Sequence, residues 1–318
     1  MKFIITIDTE ADNQWRGGES LSLKNIKHLP RFQDLCDRFA FPTTYLITYE
    51  VAGDEEAVKM LRQWQVEGRA EVGAHLHPWT TPPYYKRENR YLFLSELPDE
   101  ILERQLENLT NKIRENFGRA PVSFRGGRWS FDQRVKEKLI ELGYLADCSF
   151  TPKVNWKKVI KKGNRQYAPD YKNTPVHPFY LDTNKRLLEV PMTILYTNFL
   201  IKEDWNIGLV MEFLPSFLRR PANKVLGLKW SRVYPETSCT DLQKVYKAAR
   251  RNGLDVLEFM IHSSELMPGC SPYVKIDKDL EHLYKILEQF FAYLKDEGVE
   301  GVTLSDFTKY YKIKENSL

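Results

Sequence analysis

The chain has 318 residues, with 47 basic against 43 acidic side chains and a formal charge of +4. So small an imbalance requires neither a nucleic acid nor an anionic membrane as partner. Hydrophobic residues make up 42% and charged residues 28%, which excludes disorder as a whole, and the length suffices to bury a core without staples.

Lys2 to Ile7 is rich in β-branched residues and reads as a buried strand, closed by Asp8. It is shorter than the core of a signal peptide and lacks a cleavage site, so the expectation is a cytoplasmic protein with no membrane insertion. After Gly17-Gly18, helical spacing runs from Ser22 to Phe39, with Pro30 as a break within it. Strand returns at Thr43 to Thr48, helix at Glu55 to Val66 and strand at Ala70 to Ala74. A helix from Asp99 to Asn116 opens with acidic residues, which suit its N-terminal dipole. A strand from Pro121 to Phe124, a helix from Val135 to Leu142 and a strand from Tyr144 to Cys148 continue the rhythm. Strand and helix in alternation indicate a parallel sheet with crossover helices.

From about 152 to 185 the period fails, and the segment reads as an insertion into a single domain spanning 1–318. Strand resumes at Leu187 to Leu195, helices follow near Leu209 to Leu218 and Asp241 to Asn252, and a strand from Asp255 to Ile261 ends in His262. Helix at Leu280 to Leu294 and a short strand at Gly301 to Leu304 lead to a closing segment, Phe307 to Tyr311. Cys36, Cys148, Cys239 and Cys270 share no short spacing, so neither a metal clamp nor a disulfide framework is indicated.

The stretch Glu71-Val72-Gly73-Ala74-His75-Leu76-His77-Pro78-Trp79 places two imidazoles two residues apart. In extended backbone such side chains leave the same face, so His75 and His77 can converge on one ion. A catalytic zinc generally takes a third protein ligand, which directs attention to a carboxylate. In parallel α/β folds reactive groups sit at the carboxyl ends of strands. Asp8 and Glu10, His75 and His77, Arg125 and Arg128, Asp147 and His262 all follow strands.

At these residues the chain resembles the polysaccharide deacetylase family, metal-dependent N-deacetylases of chitin oligomers, peptidoglycan and related sugars that use a distorted (β/α) barrel. Thr6-Ile7-Asp8-Thr9-Glu10 is similar to the family's TFDD, in which the first carboxylate is the base and the second a metal ligand. Glu71 to His77 resembles its metal-binding histidine motif. Phe124-Arg125-Gly126-Gly127-Arg128 resembles RxPY, whose arginine orients the base, and Asp147-Cys148-Ser149 stands where an orienting aspartate is expected. Phe259-Met260-Ile261-His262 resembles the motif that supplies the general acid. The chain departs from the family in the Thr9 between its carboxylates, in HxH where HxxxH is usual, and in lacking the RxPY proline and tyrosine. The run from Ile261 to Gly269 resembles deacetylase-like proteins of bacterial surface-polysaccharide biosynthesis. The resemblance spans Lys2 to Asp147 and Leu187 to Leu304.

The resemblance implies an α/β distorted barrel of about seven parallel strands and hydrolysis of an acetamide on an amino sugar or glycan. Glu10, His75 and His77 would hold a divalent ion, zinc first, with cobalt, iron, nickel and manganese as alternatives. Asp8 would be the base, Arg125 would keep it ionised and aimed, and His262 would protonate the leaving amine. Asp147 would hold either His262 or Arg125. Trp79, Arg128 and Trp129 are the candidate substrate-binding residues. Two rivals remain: an amidohydrolase acting on another C–N bond, and a non-catalytic glycan binder with Trp79, Tyr84, Tyr85 and Trp129 as its sugar-stacking surface.

Overall fold

The computed structural model describes residues 1–15, 22–86, 89, 91–199 and 226–315. Its strands are β1 (Lys2–Thr9), β2 (Thr43–Ile47), β3 (Ala70–Leu76), β4 (Ser123–Gly126), β5 (Ala146–Asp147), β6 (Phe179–Tyr180), β7 (Leu188–Glu189), β8 (Ile194–Tyr196), β9 (Leu228–Trp230), β10 (Val256–His262) and β11 (Glu300–Gly301). The main sheet has the order β10-β1-β2-β3-β4-β5-β7-β6, with β11 on the start of β1. Every pairing from β10 to β7 is parallel, and only β6 pairs antiparallel, on β7. The result is a curled half-barrel with helices outside, the distorted α/β barrel expected. Strands β8 and β9 form a separate antiparallel ribbon. Ser231, just after β9, ties that ribbon to β10 by accepting from the Met260 amide at 3.4 Å.

Strand periodicity divides the sheet into two faces. Phe3, Ile5 and Ile7 of β1, Val72, Ala74 and Leu76 of β3, Phe124 of β4, and Leu257, Phe259 and Ile261 of β10 belong to one apolar core shared with the helices. Alternate residues point into the half-barrel. Near its base these are apolar, with Ile4, Leu46, Val256 and Leu304 in a second cluster. Higher up they are Thr6, Asp8, Glu258, His262, His75 and Arg125, all buried.

Helix starts follow local chemistry. Asp54 and Asp132 cap their helices by accepting the amides of Ala57 and Val135, and Ser238 forms a capping box with Asp241. Pro30 splits the expected Ser22–Phe39 helix: a 3₁₀ turn over Lys24–His28 precedes the α-helix Leu29–Arg38, in whose first turn proline's missing N–H costs nothing. The expected strand Leu187–Leu195 is two strands, β7 and β8, and the chain closes in a helix, Leu304–Glu315, in place of a strand reaching Leu304. The helix expected near Leu209 to Leu218 lies outside the described residues. No described helix is long and apolar enough to cross a membrane.

Candidate metal centre and active site

Parallel pairing brings the site residues to one end of the sheet. Asp8 is the register partner of His262, and His75 that of Arg125; through Leu46 of β2 the residue of β3 level with Asp8 is Gly73, so His75 and Arg125 stand two residues further along, and the four inward side chains gather toward the carboxyl ends of β10, β1, β3 and β4. Glu10 and His77 lie one step beyond the strand ends. One donor atom each from Glu10, His75 and His77 falls within 4.8 Å of the others.

The hydrogen bonds fix the tautomer that matters most. His75 Nδ1 donates to the Arg125 carbonyl at 3.0 Å, so its proton is on Nδ1 and Nε2 carries a lone pair. That lone pair faces Asp8 Oδ2 at 3.9 Å and Glu10 Oε2 at 3.8 Å. Burial holds the His75 imidazole down at about 4, so it is neutral at physiological pH. Three electron-rich atoms therefore face one another, an arrangement a cation satisfies. His77 Nε2 lies 3.0 Å from Glu10 Oε2 in the same cluster. These donors, two imidazoles and a carboxylate, fit zinc or another first-row divalent ion.

Arg125 organises the carboxylates. Its Nη1 donates to Asp8 Oδ1 at 2.6 Å, its Nη2 to Glu258 Oε1 at 2.8 Å and its Nε to the Cys148 carbonyl at 3.0 Å. Burial opposes ionisation of Asp8, but Arg125, His75 and His262 outweigh it and hold the carboxyl well below the usual range. At Glu258 burial wins over Arg125, and the pKa rises.

His262 turns Nε2 toward this group, 3.8 Å from Asp8 Oδ2 and 4.0 Å from Glu10 Oε1. Its Nδ1 lies 2.9 Å from Glu265 Oε1, which also accepts from Arg232 Nη2 at 2.6 Å. Against burial, Arg232 and His262 keep the Glu265 carboxyl below its ordinary pKa. Trp15 packs edge-on against the His262 ring at 5.0 Å.

Asp147 takes a different place from either one expected. It accepts from Ser149 Oγ at 2.7 Å and sits on β5 opposite Glu189, and burial raises the pKa of both, with Asp147 raising Glu189 further. Glu265 and Arg232 both lie against His262 Nδ1, at 2.9 and 3.0 Å, and among the described residues Arg125 is held by Asp8, Glu258 and the Cys148 carbonyl. Trp79 is only 5% exposed: it lies under His77 at 4.3 Å and donates to Gln14, backing that imidazole rather than facing solvent. Arg128 is tied to the carbonyls of Tyr91 and Lys162 and lies over Phe93. Trp129 lies over the Arg125 guanidinium at 5.0 Å. Arg128 and Trp129 both hold positive φ, 56° and 60°, a strained pair that turns the chain back over the site. Gly127 permits the turn, because a Cβ there would come within 2.3 Å of His77 Nδ1.

Glu258 and Arg232 escape a motif reading, whereas Glu265 lies within the run from Ile261 to Gly269 already singled out. A glutamate inside an otherwise apolar strand, Val256 to Ile261, is the sequence signal for the first, since a buried carboxylate needs a buried partner. Arg232 carries no comparable signal.

No family model and no curated protein matches the sequence. Among solved structures, one assigned as a polysaccharide deacetylase from Mycobacterium smegmatis aligns with 99% of this chain and 92% of its own, at TM-score 0.58 and 14% identity. The chain shares that fold. A GH57 branching enzyme from Thermococcus kodakaraensis aligns with 98% of this chain and 71% of its own, at TM-score 0.54 and 13% identity. The PuuE allantoinase aligns with 98% and 89%, at TM-score 0.52 and 16% identity. The likeness at these identities is one of fold.

Proposed function

We propose that the chain is a metal-dependent hydrolase that removes the acetyl group from an acetamido sugar, free or within a glycan or its precursor. The fold alone does not choose this reaction, since structures that share it include a branching enzyme and an allantoinase. What supports it is the site: Glu10, His75 and His77 converge on one point, with the Asp8–Arg125 pair and the His262–Glu265 pair both turned toward it. An ion held by those three residues, zinc first, would polarise the acyl carbonyl and make water acidic enough to attack it.

The remaining steps belong to side chains. Asp8, ionised and aimed by Arg125, takes the proton from the attacking water. His262 Nε2, across from it, gives a proton to the leaving nitrogen, so amide and water become amine and acetate. Glu265 fixes the ring by holding Nδ1. Release of acetate from acetylated chito-oligosaccharides and peptidoglycan fragments, with zinc, cobalt, nickel, iron or manganese and with chelator, tests the reading. Chelator-sensitive release is expected. Ligand binding without acetate from any ion would favour a non-catalytic glycan binder instead.

A further inference from the structure

The proposed reaction gives no part to Glu258. It stands on β10 in the inward series that ends at His262, level with Ile4 of β1, and is 0% exposed. An apolar side chain would pack there at less cost, since a buried carboxyl is unfavourable unless it is matched. The match is Arg125.

Three nitrogens of that guanidinium are engaged in its plane, Nη1 with Asp8, Nη2 with Glu258 and Nε with the Cys148 carbonyl, while Trp129 lies over its face. A planar fork held at all three nitrogens has one orientation. Glu258 and Asp8 hold different terminal nitrogens, so removing Glu258 leaves the Asp8 contact to steer the fork with one anchor fewer.

The two oxygens of Glu258 are not used alike. Oε1 accepts from Arg125 Nη2 at 2.8 Å and from Thr6 Oγ1 at 2.5 Å, while Oε2 is buried with no partner among the described residues. A carboxylate spreads its charge over both oxygens, so the ionised form would leave the share on Oε2 unmatched in a dry interior. A proton on Oε2 removes that charge and keeps Oε1 as an acceptor. Burial, outweighing Arg125, pushes the Glu258 carboxyl in the same direction. A neutral Glu258 makes no claim on the cation, and Asp8 receives its charge undivided.

We propose that Glu258 is a positioning residue for the base: as a neutral hydrogen-bond acceptor it holds Arg125 in the one orientation that gives the charge of that cation to Asp8 alone. The inference rests on the proposed deacetylase reading for the part played by Asp8, but two of its three readouts need neither metal nor substrate.

Those two use chelated protein at neutral pH. The infrared difference between parent and Glu258→Gln should contain the carbonyl band of a protonated carboxyl; a carboxylate band in its place would overturn the neutral acceptor. In protein labelled with ¹⁵N-arginine, the Nε–H resonance that Arg125→Met deletes should keep its position in Glu258→Gln and shift or broaden in Glu258→Met. An unmoved resonance in Glu258→Met would overturn the positioning role. The third readout is turnover with metal restored: Glu258→Met should lower kcat about 10²-fold at unchanged KM and metal affinity, the yield of a misaimed catalytic group, and Glu258→Gln should recover most of that loss. Equal losses in both variants would mean that the charge at Glu258 is what matters, against the proposal. Circular dichroism confirms folding, and the infrared band and the Glu258→Gln resonance decide even where Glu258→Met does not fold. No acetate from the parent on any substrate would remove the deacetylase reading and leave those two spectra to judge the Glu258 contact.

Discussion

Replacing Arg125 with methionine tests the electrostatics on which the centre depends. Arg125 is 1% exposed and stands between two carboxylates, 2.6 Å from Asp8 and 2.8 Å from Glu258, each itself buried. Methionine keeps the length and the apolar stem but removes the cation. Breaking a buried pair in this way costs about 3–5 kcal/mol, because the partner's charge is left uncompensated. The lower end applies here. Burial already pushes the Glu258 carboxyl up, so it can take a proton, and Asp8 keeps His75 and His262 beside it. At roughly 2 °C per kcal/mol for a chain of this size, the melting temperature should fall by about 6 °C. The measurement is thermal unfolding by circular dichroism in chelator, since bound metal would add its own stabilisation. Arg125→Met combined with Asp8→Asn should recover part of the loss, because the neutral amide needs no cation. A melting temperature within about 1 °C of the parent, or a double variant that costs the sum of the two single ones, would refute the reasoning.

Gly127→Ala pushes a methyl group against the His77 ring, so metal affinity measured against a chelating dye should fall about 10- to 100-fold; unchanged affinity would mean that Gly127 is not needed to seat that ligand. For Glu189, whose folded pKa is raised by burial and by Asp147, the stabilising contribution is present below the unfolded value of about 4.3 and is lost as pH rises through the folded one. Glu189→Gln should therefore gain stability relative to the parent as pH rises above about 4, and parallel stability–pH curves would refute the raised pKa. His262→Ala should lower amide turnover about 10²- to 10⁴-fold at unchanged metal occupancy, with a much smaller loss on an acetate ester whose leaving group needs no proton. An equal loss on both substrates would remove the acid role.

The sheet was legible because two simple periodicities act together. β-Branched runs mark the strands, and the parallel order follows from a helix after each one. Once strands are parallel, residues that end them share a rim, which is why Asp8, His75, Arg125 and His262 could be grouped from sequence and are found together in the structure. Side-chain partners across the half-barrel were not legible. Glu258 meets Arg125 over 133 positions, and Arg232 reaches Glu265 from a loop beyond the β8–β9 ribbon. Nothing local in the chain encodes such meetings. The burial of Trp79 and the clamp on Arg128 were hidden for the same reason: a tryptophan after a histidine pair reads alike whether it faces solvent or lies beneath the imidazole.

The same alternation that builds the outer core makes the inner face costly. Where β1 puts Ile5 and Ile7 against helices, it must put Thr6 and Asp8 inside, and β10 likewise pairs Phe259 and Ile261 outside with Glu258 and His262 within. Buried charge persists only when it is matched. Around the rim Asp8, Glu10 and Glu265 are carboxylates held ionised, and Arg125 and Arg232 are the cations that touch them or their neighbours. With the imidazoles of His75, His77 and His262 all counted neutral, the balance is one negative charge, and two when Glu258 also ionises; a proton on His262 removes one. The surplus lies at Glu10, which has no arginine or lysine partner among the described residues and faces His75 and His77. A divalent cation at that point supplies the charge the protein does not, so metal loading should stabilise the fold as well as complete the site, with unfolding midpoints rising with free metal concentration.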